Sequence, residues 1–220
     1  MTCPLSFCEE SRLREREREY RFRGKTRRQG RCERVLEILF HGRGGQGAVT
    51  AANILVAAAL RDGHRGVQAF PLFGSERRGA PVKAFARISD TEINLRSQIY
   101  SPDIVVILDP GLLKLVNVAE GLKGSSVLVL NTTGSPGDFE FSKSFRVATV
   151  DAAGVALRHE LLVGGIPIIN TPILGALPRV TDVVSLEAIE EAIRTQWKGS
   201  AGERNAAAAR EAYERTEVNR

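Results

Sequence analysis

Apolar and polar positions change rhythm along the chain. Val35-Leu36-Glu37-Ile38-Leu39-Phe40-His41 is nearly continuous apolar sequence, the mark of a strand buried on both faces. From Gln46 to Leu60 the period lengthens. Val49, Ala52, Ile54, Val56, Ala57 and Leu60 recur at helical spacing, and Gly63 supplies a stop. Val67 to Phe73 predicts a second strand. Val82 to Ile88 alternates and predicts a third, with Ile93 to Leu95 returning as a hairpin partner after the turn Asp90-Thr91-Glu92. Asp103 to Leu108, Ser126 to Leu130 and Arg146 to Val150 predict three more strands. Helices are expected over Gly111 to Val118, Asp151 to Leu162, from Thr171 to Leu177 with Pro172 in the first turn, Ser185 to Trp197 and Gly202 to Tyr213. In the Ser185 helix the apolar face is Leu186, Ile189, Ala192, Ile193 and Trp197, with Ser185 as cap.

Strands alternating with helices predict an α/β domain: a three-layer α/β/α arrangement with a mainly parallel sheet, plus an antiparallel hairpin at Val82 to Leu95. That domain occupies 35–220. Residues 1–34 read as a basic, flexible extension, because Arg and Glu alternate there and little apolar surface offsets the entropy of ordering.

Charge sharpens this division. The formal net charge of the 220-residue chain is +5. Residues 9–34 carry 11 Lys/Arg against 6 Glu, which accounts for all of it, and residues 35–220 balance. A domain without net charge argues against nucleic acid as partner. No apolar run is long enough to span a bilayer, and the N-terminus lacks a secretory pattern, so a cytoplasmic location with no membrane association is expected. Cys3, Cys8 and Cys32 all lie in the extension at spacings unlike a zinc or iron–sulfur ligand set, and no metal cluster is expected on this chain.

Chemistry is concentrated at two places. Gly42-Arg43-Gly44-Gly45-Gln46-Gly47 joins the first strand to the first helix. Glycines permit a tight turn and close approach of the backbone to a ligand. The helix that follows offers unpaired N–H groups at the positive end of its dipole. Gly42, Gly44 and Gly47 satisfy G-x-G-x-x-G, a dinucleotide fingerprint, yet the acidic residue expected about 20 positions on is not evident. Three readings fit the residues: a phosphate site assisted by Arg43, a dinucleotide site, or a turn without ligand. The second place is Ser75-Glu76-Arg77-Arg78-Gly79, after the second strand. It suits an acidic ligand, a neighbouring subunit or a solvated turn. His41, His64 and His159 pair with no nucleophile, and no catalytic set is visible. Asp109 and Asn131 end strands and suit either a site or a cap.

Beyond these two stretches, Phe73 to Val82, Ala86-Arg87-Ile88-Ser89, Pro102 to Val105, Leu108-Asp109, Asp151-Ala152-Ala153, Asn170 to Ala176, Asn205 and Tyr213 follow in order. Together with the glycine run they resemble the gamma subunit of pyruvate:ferredoxin oxidoreductase, in the 2-oxoacid:acceptor oxidoreductase family, over about residues 35–215. The resemblance implies a complex of alpha, beta, gamma and delta-type subunits. That complex oxidatively decarboxylates a 2-oxoacid such as pyruvate, passes electrons to ferredoxin and forms acetyl-coenzyme A, reversibly. It implies that thiamine diphosphate, magnesium and the iron–sulfur clusters sit on partner subunits, that coenzyme A is a co-substrate, and that the isolated chain is inactive. It further implies a place near the coenzyme A site, for which Gly42 to Gly47 is the candidate. Branched-chain, 2-oxoglutarate and indolepyruvate oxidoreductases remain open, as does a stand-alone nucleotide-binding module. The basic extension lies outside the pattern.

Overall fold

The computed structural model describes residues 35–72 and 79–219. The expectations for residues 1–34, including all three cysteines, lie outside the described residues, as do those for Ser75, Glu76, Arg77 and Arg78.

Among the described residues, seven strands form one sheet. They are β1 (Leu36–Arg43), β2 (Gly66–Pro71), β3 (Pro81–Ser89), β4 (Ile104–Ile107), β5 (Val127–Asn131), β6 (Arg146–Val150) and β9 (Glu217–Val218), in the order β2-β3-β1-β4-β5-β6-β9. The centre, β1-β4-β5-β6, is parallel, and its strands are the Val/Ile/Leu runs that need cover on both faces. The margins are antiparallel: β3 pairs with both β1 and β2, and β9 with β6. A separate two-stranded hairpin joins β7 (Leu162–Val163) to β8 (Ile166–Pro167).

The antiparallel element expected at Val82 to Leu95 is therefore built differently. Residues 93–95 are not a strand. Both edges of β3 are already taken, by β1 and β2, so no edge is left for a local partner. Ile93 instead offers its carbonyl to Gln68 Nε2 at 3.0 Å.

Among the described residues there are four α-helices: α1 (Ala48–Arg61), α2 (Ala152–Arg158), α3 (Leu186–Gln196) and α4 (Ser200–Arg215). The small residues of α1 and α4 allow close packing. Ala48, Ala51, Ala52, Ala58 and Ala59 of α1 and Ala206, Ala208, Ala209 and Ala212 of α4 are buried in one cluster with Phe40, Val106 and Val129. Leu60, placed on the apolar face by the sequence pattern, is exposed, and Leu55 is buried instead. All four helices contribute to this one face of the sheet. The opposite face, with Leu39, Phe85, Val105, Ile107, Leu128 and Leu130, is closed by irregular connections carrying Leu113, Val116, Val118, Phe139, Phe141 and Phe145. The second outer layer of the expected three-layer arrangement is thus made of short turns.

Three expected helices differ in kind or length. Gly111 to Val118 is a 3-10 turn, Pro110–Lys114, in which the Asp109 carboxylate accepts from Gly111 N–H. Thr171 to Leu177 lies in a 3-10 helix, Pro172–Arg179, with Pro178 inside it. The helix from Asp151 stops at Arg158 and gives way to the β7–β8 hairpin, whose two-residue turn is Gly164-Gly165, both at positive φ. Ser185 caps α3 as expected, accepting from Ala188 N–H at 3.1 Å. No helix among the described residues is long and apolar enough to cross a membrane.

Candidate functional site

The topology gathers one edge of the sheet. β1 and β2 run the same way, since β3 opposes each of them, and β4, β5 and β6 follow β1. The ends of all these strands, and the residues just after them, therefore meet along one margin. It is the margin where open α/β sheets bind ligands. Chain connections leave β1 for α1 on the helical face and leave β4 for the turn-covered face. A crevice between the ends of β1 and β4 follows from that divergence.

Gly42 and Arg43 close β1, so the loop proper is Gly44 to Gly47. Gly45 has φ 97° and Gly47 φ 79°, conformations that favour glycine. Gly47 occupies the cap position of α1, where no side chain caps the helix. Gln46 N–H donates to the Arg43 carbonyl at 2.9 Å and Arg43 N–H donates to Gln46 Oε1 at 2.7 Å, which locks the turn from within.

Arg43 reaches across the crevice. Its Nε donates to Asp109 Oδ2 at 2.6 Å, and its Nη1 donates to the Gly79 carbonyl at 3.2 Å. Gln46 Nε2 also donates to Asp109 Oδ2, at 3.3 Å. Asp109 thus joins the β1 end, the loop and the Gly111 turn. The Gly79 end of the second predicted site pairs with the glycine loop through Gly79 N–H to Gly44 O and Gly44 N–H to Ala80 O, at 3.1 and 2.9 Å. Asn131 performs a similar service one strand over, donating to the Leu108 carbonyl and accepting from Ala153 N–H.

The structure brings Gly42 to Gly47 together with Gly79 and Asp109. Asp109, which the sequence offers as either a site residue or a cap, caps the Gly111 turn and pairs with Arg43. The geometry disfavours a dinucleotide. β3 stands between β1 and β2, so the end of β2 is not the neighbouring strand end where a ribose-binding carboxylate would sit.

His41 precedes this edge and is buried at 3% exposure. Burial, with the Lys83 ammonium adding to it, lowers its pKa to about 4, so the imidazole is neutral at ordinary pH. Among the described residues no group of His, Cys, Asp and Glu is placed to hold a metal ion.

Sequence reasoning missed Asn170 at this edge. Its Nδ2 lies 2.6 Å from where a Cβ on Gly47 would stand. Its only signal was its place in the run Asn170 to Ala176.

Comparison with known proteins decides the family. The model for pyruvate ferredoxin/flavodoxin oxidoreductase matches residues 37–215. The chain belongs to this family. A pyruvate/ketoisovalerate oxidoreductases common subunit gamma of Pyrococcus furiosus is 54% identical over 187 residues, covering 84% of this chain and 98% of that protein. A pyruvate synthase subunit PorC of Methanocaldococcus jannaschii is 52% identical over 179 residues, 81% of this chain and 96% of its own length. The crystal structure of a pyruvate oxidoreductase subunit PORC from Thermotoga maritima superposes with a TM-score of 0.71 at 38% identity, covering 86% of this chain and all of that one.

Proposed function

We propose that this chain is the gamma subunit of a 2-oxoacid:ferredoxin oxidoreductase, most directly one acting on pyruvate. The observation that carries the reading is the match, over nearly their whole length, to proteins that are themselves named as gamma or PorC subunits of pyruvate-oxidising enzymes. In the reaction, pyruvate loses carbon dioxide, an electron pair passes to ferredoxin, the acetyl group joins the sulfur of coenzyme A and the thiol proton is released. Thiamine diphosphate, magnesium and iron–sulfur clusters are assigned to alpha, beta and delta-type partners. On this reading the isolated chain does not turn over substrate. Pyruvate-dependent reduction of a viologen dye by this chain alone would contradict that.

The contribution assigned to this chain is binding and orientation. Coenzyme A carries phosphates, and the glycine loop presents backbone N–H groups at a helix start. Arg43 brings a cation whose orientation Asp109 and Gly79 set. Ser75, Glu76, Arg77 and Arg78 belong to the same connection as Gly79 and are proposed as further contacts to coenzyme A or a neighbouring subunit. Arg43→Ala in the assembled enzyme is expected to raise KM for coenzyme A about tenfold, the scale of one charge-assisted contact, with KM for pyruvate unchanged. Equal coenzyme A kinetics in both proteins would sink the assignment.

A second reading has specific support. The Pyrococcus relative is named as common to pyruvate and ketoisovalerate oxidoreductases. This chain is then a part shared between complexes, with substrate choice residing in the partners. Branched-chain 2-oxoacid oxidation by a complex containing this chain would establish it.

A further inference from the structure

We propose that the free edge of β2 pairs antiparallel with β2 of a second copy of this chain, across a two-fold axis at Gln68. β2 is the outermost strand of the sheet and is bonded only to β3. Leu72 N–H donates to the Lys83 carbonyl at 3.0 Å, and this bond fixes the alternation of the ladder. In the same register, Phe70 with Phe85 and Gln68 with Arg87 are the pairs that exchange backbone hydrogen bonds. Val67 and Ala69 therefore turn their N–H and C=O groups outward, and Pro71 turns its C=O outward. Among the described residues no backbone group outside the strand meets the N–H of Val67 or Ala69. Residues 91–93 cross the turn-covered face instead: Thr91 packs on Gly66, and the Ile93 carbonyl accepts from the Gln68 side chain. The edge itself stays open.

Sheet edges of monomeric proteins are usually blunted by charges or bulges. Gly66–Pro71 carries no charged residue and keeps a continuous register with β3. The strand is its own best complement. With the axis at Gln68, Val67 falls opposite Ala69 of the second copy, so each outward N–H meets an outward C=O. Arg65 falls opposite Pro71 of the second copy, where no like charge faces it. Such an axis stands perpendicular to the sheet. Both copies then keep their helices on one side, and α1 meets α1. The flank of α1 turned that way is apolar. Val49, Val56 and Leu60 form a stripe at helical spacing interrupted only by Asn53. Val49 and Val56 are half-buried, and Leu60 is 53% exposed. Arg61, on the opposite flank, reaches Thr195 Oγ1 of α3 at 2.8 Å, so the stripe faces away from α3. α1 packs on β2 and β3, so away from α3 means toward the β2 edge. Val67 and Ala69 pack against the same core cluster as Val49 and Val56. Two such flanks beside one continuous ladder make a self-complementary contact that closes after two copies. A foreign strand could complete the ladder but would leave the α1 stripe in water. The strands of the two copies run in opposite directions, so their glycine-loop margins lie on opposite ends of the joined sheet and each site stays within one copy.

Neither this pairing nor its test depends on the coenzyme A reading. The test is sedimentation equilibrium of the full chain, wild type against Ala69→Pro. Proline removes an outward N–H and no bond to β3, and the two-fold axis doubles the loss. The wild type should be a dimer, and Ala69→Pro should raise its dissociation constant about tenfold or more. Leu60→Glu, an exposed change on the α1 flank, should weaken the dimer as well and decides the matter if Ala69→Pro does not fold. The register is read separately with Gln68→Cys. At the axis the two side chains stand opposite each other in a pair without backbone hydrogen bonds, within reach of a disulfide. Mild oxidation should join position 68 of two copies, as located by peptide mass spectrometry against the wild type as background. A wild-type chain that is monomeric at every concentration overturns the proposal. So does a dimer indifferent to both Ala69→Pro and Leu60→Glu, or one that forms no link at position 68. If Ala69→Pro instead releases a different subunit from the assembled complex and leaves self-association unchanged, the edge serves that subunit and the second copy is excluded as its occupant.

Discussion

The two faces of the sheet are closed by different means. On one, α1 and α4 press alanines and glycines close, so that backbone approaches backbone: a Cβ on Gly175 would lie 1.9 Å from the Ala209 carbonyl oxygen. On the other, Phe139, Phe141 and Phe145 lie across Leu128, Leu130 and Val147 from irregular connections, and all three remain partly exposed. Close packing of small residues leaves no room to yield, whereas bulky residues on turns can shift. The difference also sets the surroundings of the proposed site. The glycine loop, Asp109 and Asn170 lie at the seam where connections to the two faces part, with rigid helices behind the loop and adaptable turns beside it.

Substitutions can break this contrast. The largest effect belongs to Gly175→Ala on the helical face, which should cost about 4 kcal/mol, because the atoms its Cβ would meet are backbone that cannot rotate away. A urea unfolding midpoint close to wild type would show that the helical face is not rigid. Next comes His41, buried near the end of β1 on the turn-covered side. Its folded pKa of about 4 lies below the ordinary 6.5, so the unfolded chain binds the extra proton first. Stability contributed by neutral His41 is present above pH 6.5 and is lost as pH falls toward 4, by about 3 kcal/mol at 1.4 kcal/mol per pKa unit. Unfolding midpoints across that window should slope in wild type and flatten in His41→Gln, and equal slopes would exclude His41 as the cause. The smallest effect is Phe141→Ala on the turn-covered face. A partly exposed ring over turns should cost about 1 kcal/mol, well below the cost of a fully buried phenylalanine. A loss as large as that of Gly175→Ala would erase the distinction between the faces.

The central strands were legible because β4, β5 and most of β1 are apolar runs that only a doubly covered sheet can hide. Pairing was less so. The pattern of Val82 to Ile88 declares a strand, but its partners β1 and β2 lie far away in sequence, and a nearby Ile93 to Leu95 offered a local alternative. β9 is two residues long, too short to show any period. The turn at Pro110–Lys114 and the helix at Pro172–Arg179 are too short for periodicity to separate 3-10 from α. At the site, the glycines declared the loop through backbone conformation, which composition records. Asp109 was noticed only for its place at a strand end, since its link to Arg43 spans 66 positions. Asn170 was hidden for the same reason: it meets Gly47 only once α1 and the segment before Pro172 are packed.

Assembly is the most direct test of the account. Native mass spectrometry of the complex recovered through this chain from its own cells should reveal a hetero-oligomer whose other subunits carry thiamine diphosphate and iron–sulfur clusters and oxidise a 2-oxoacid in a coenzyme A-dependent manner. A stable monomer that binds a nucleotide without partners would contradict it.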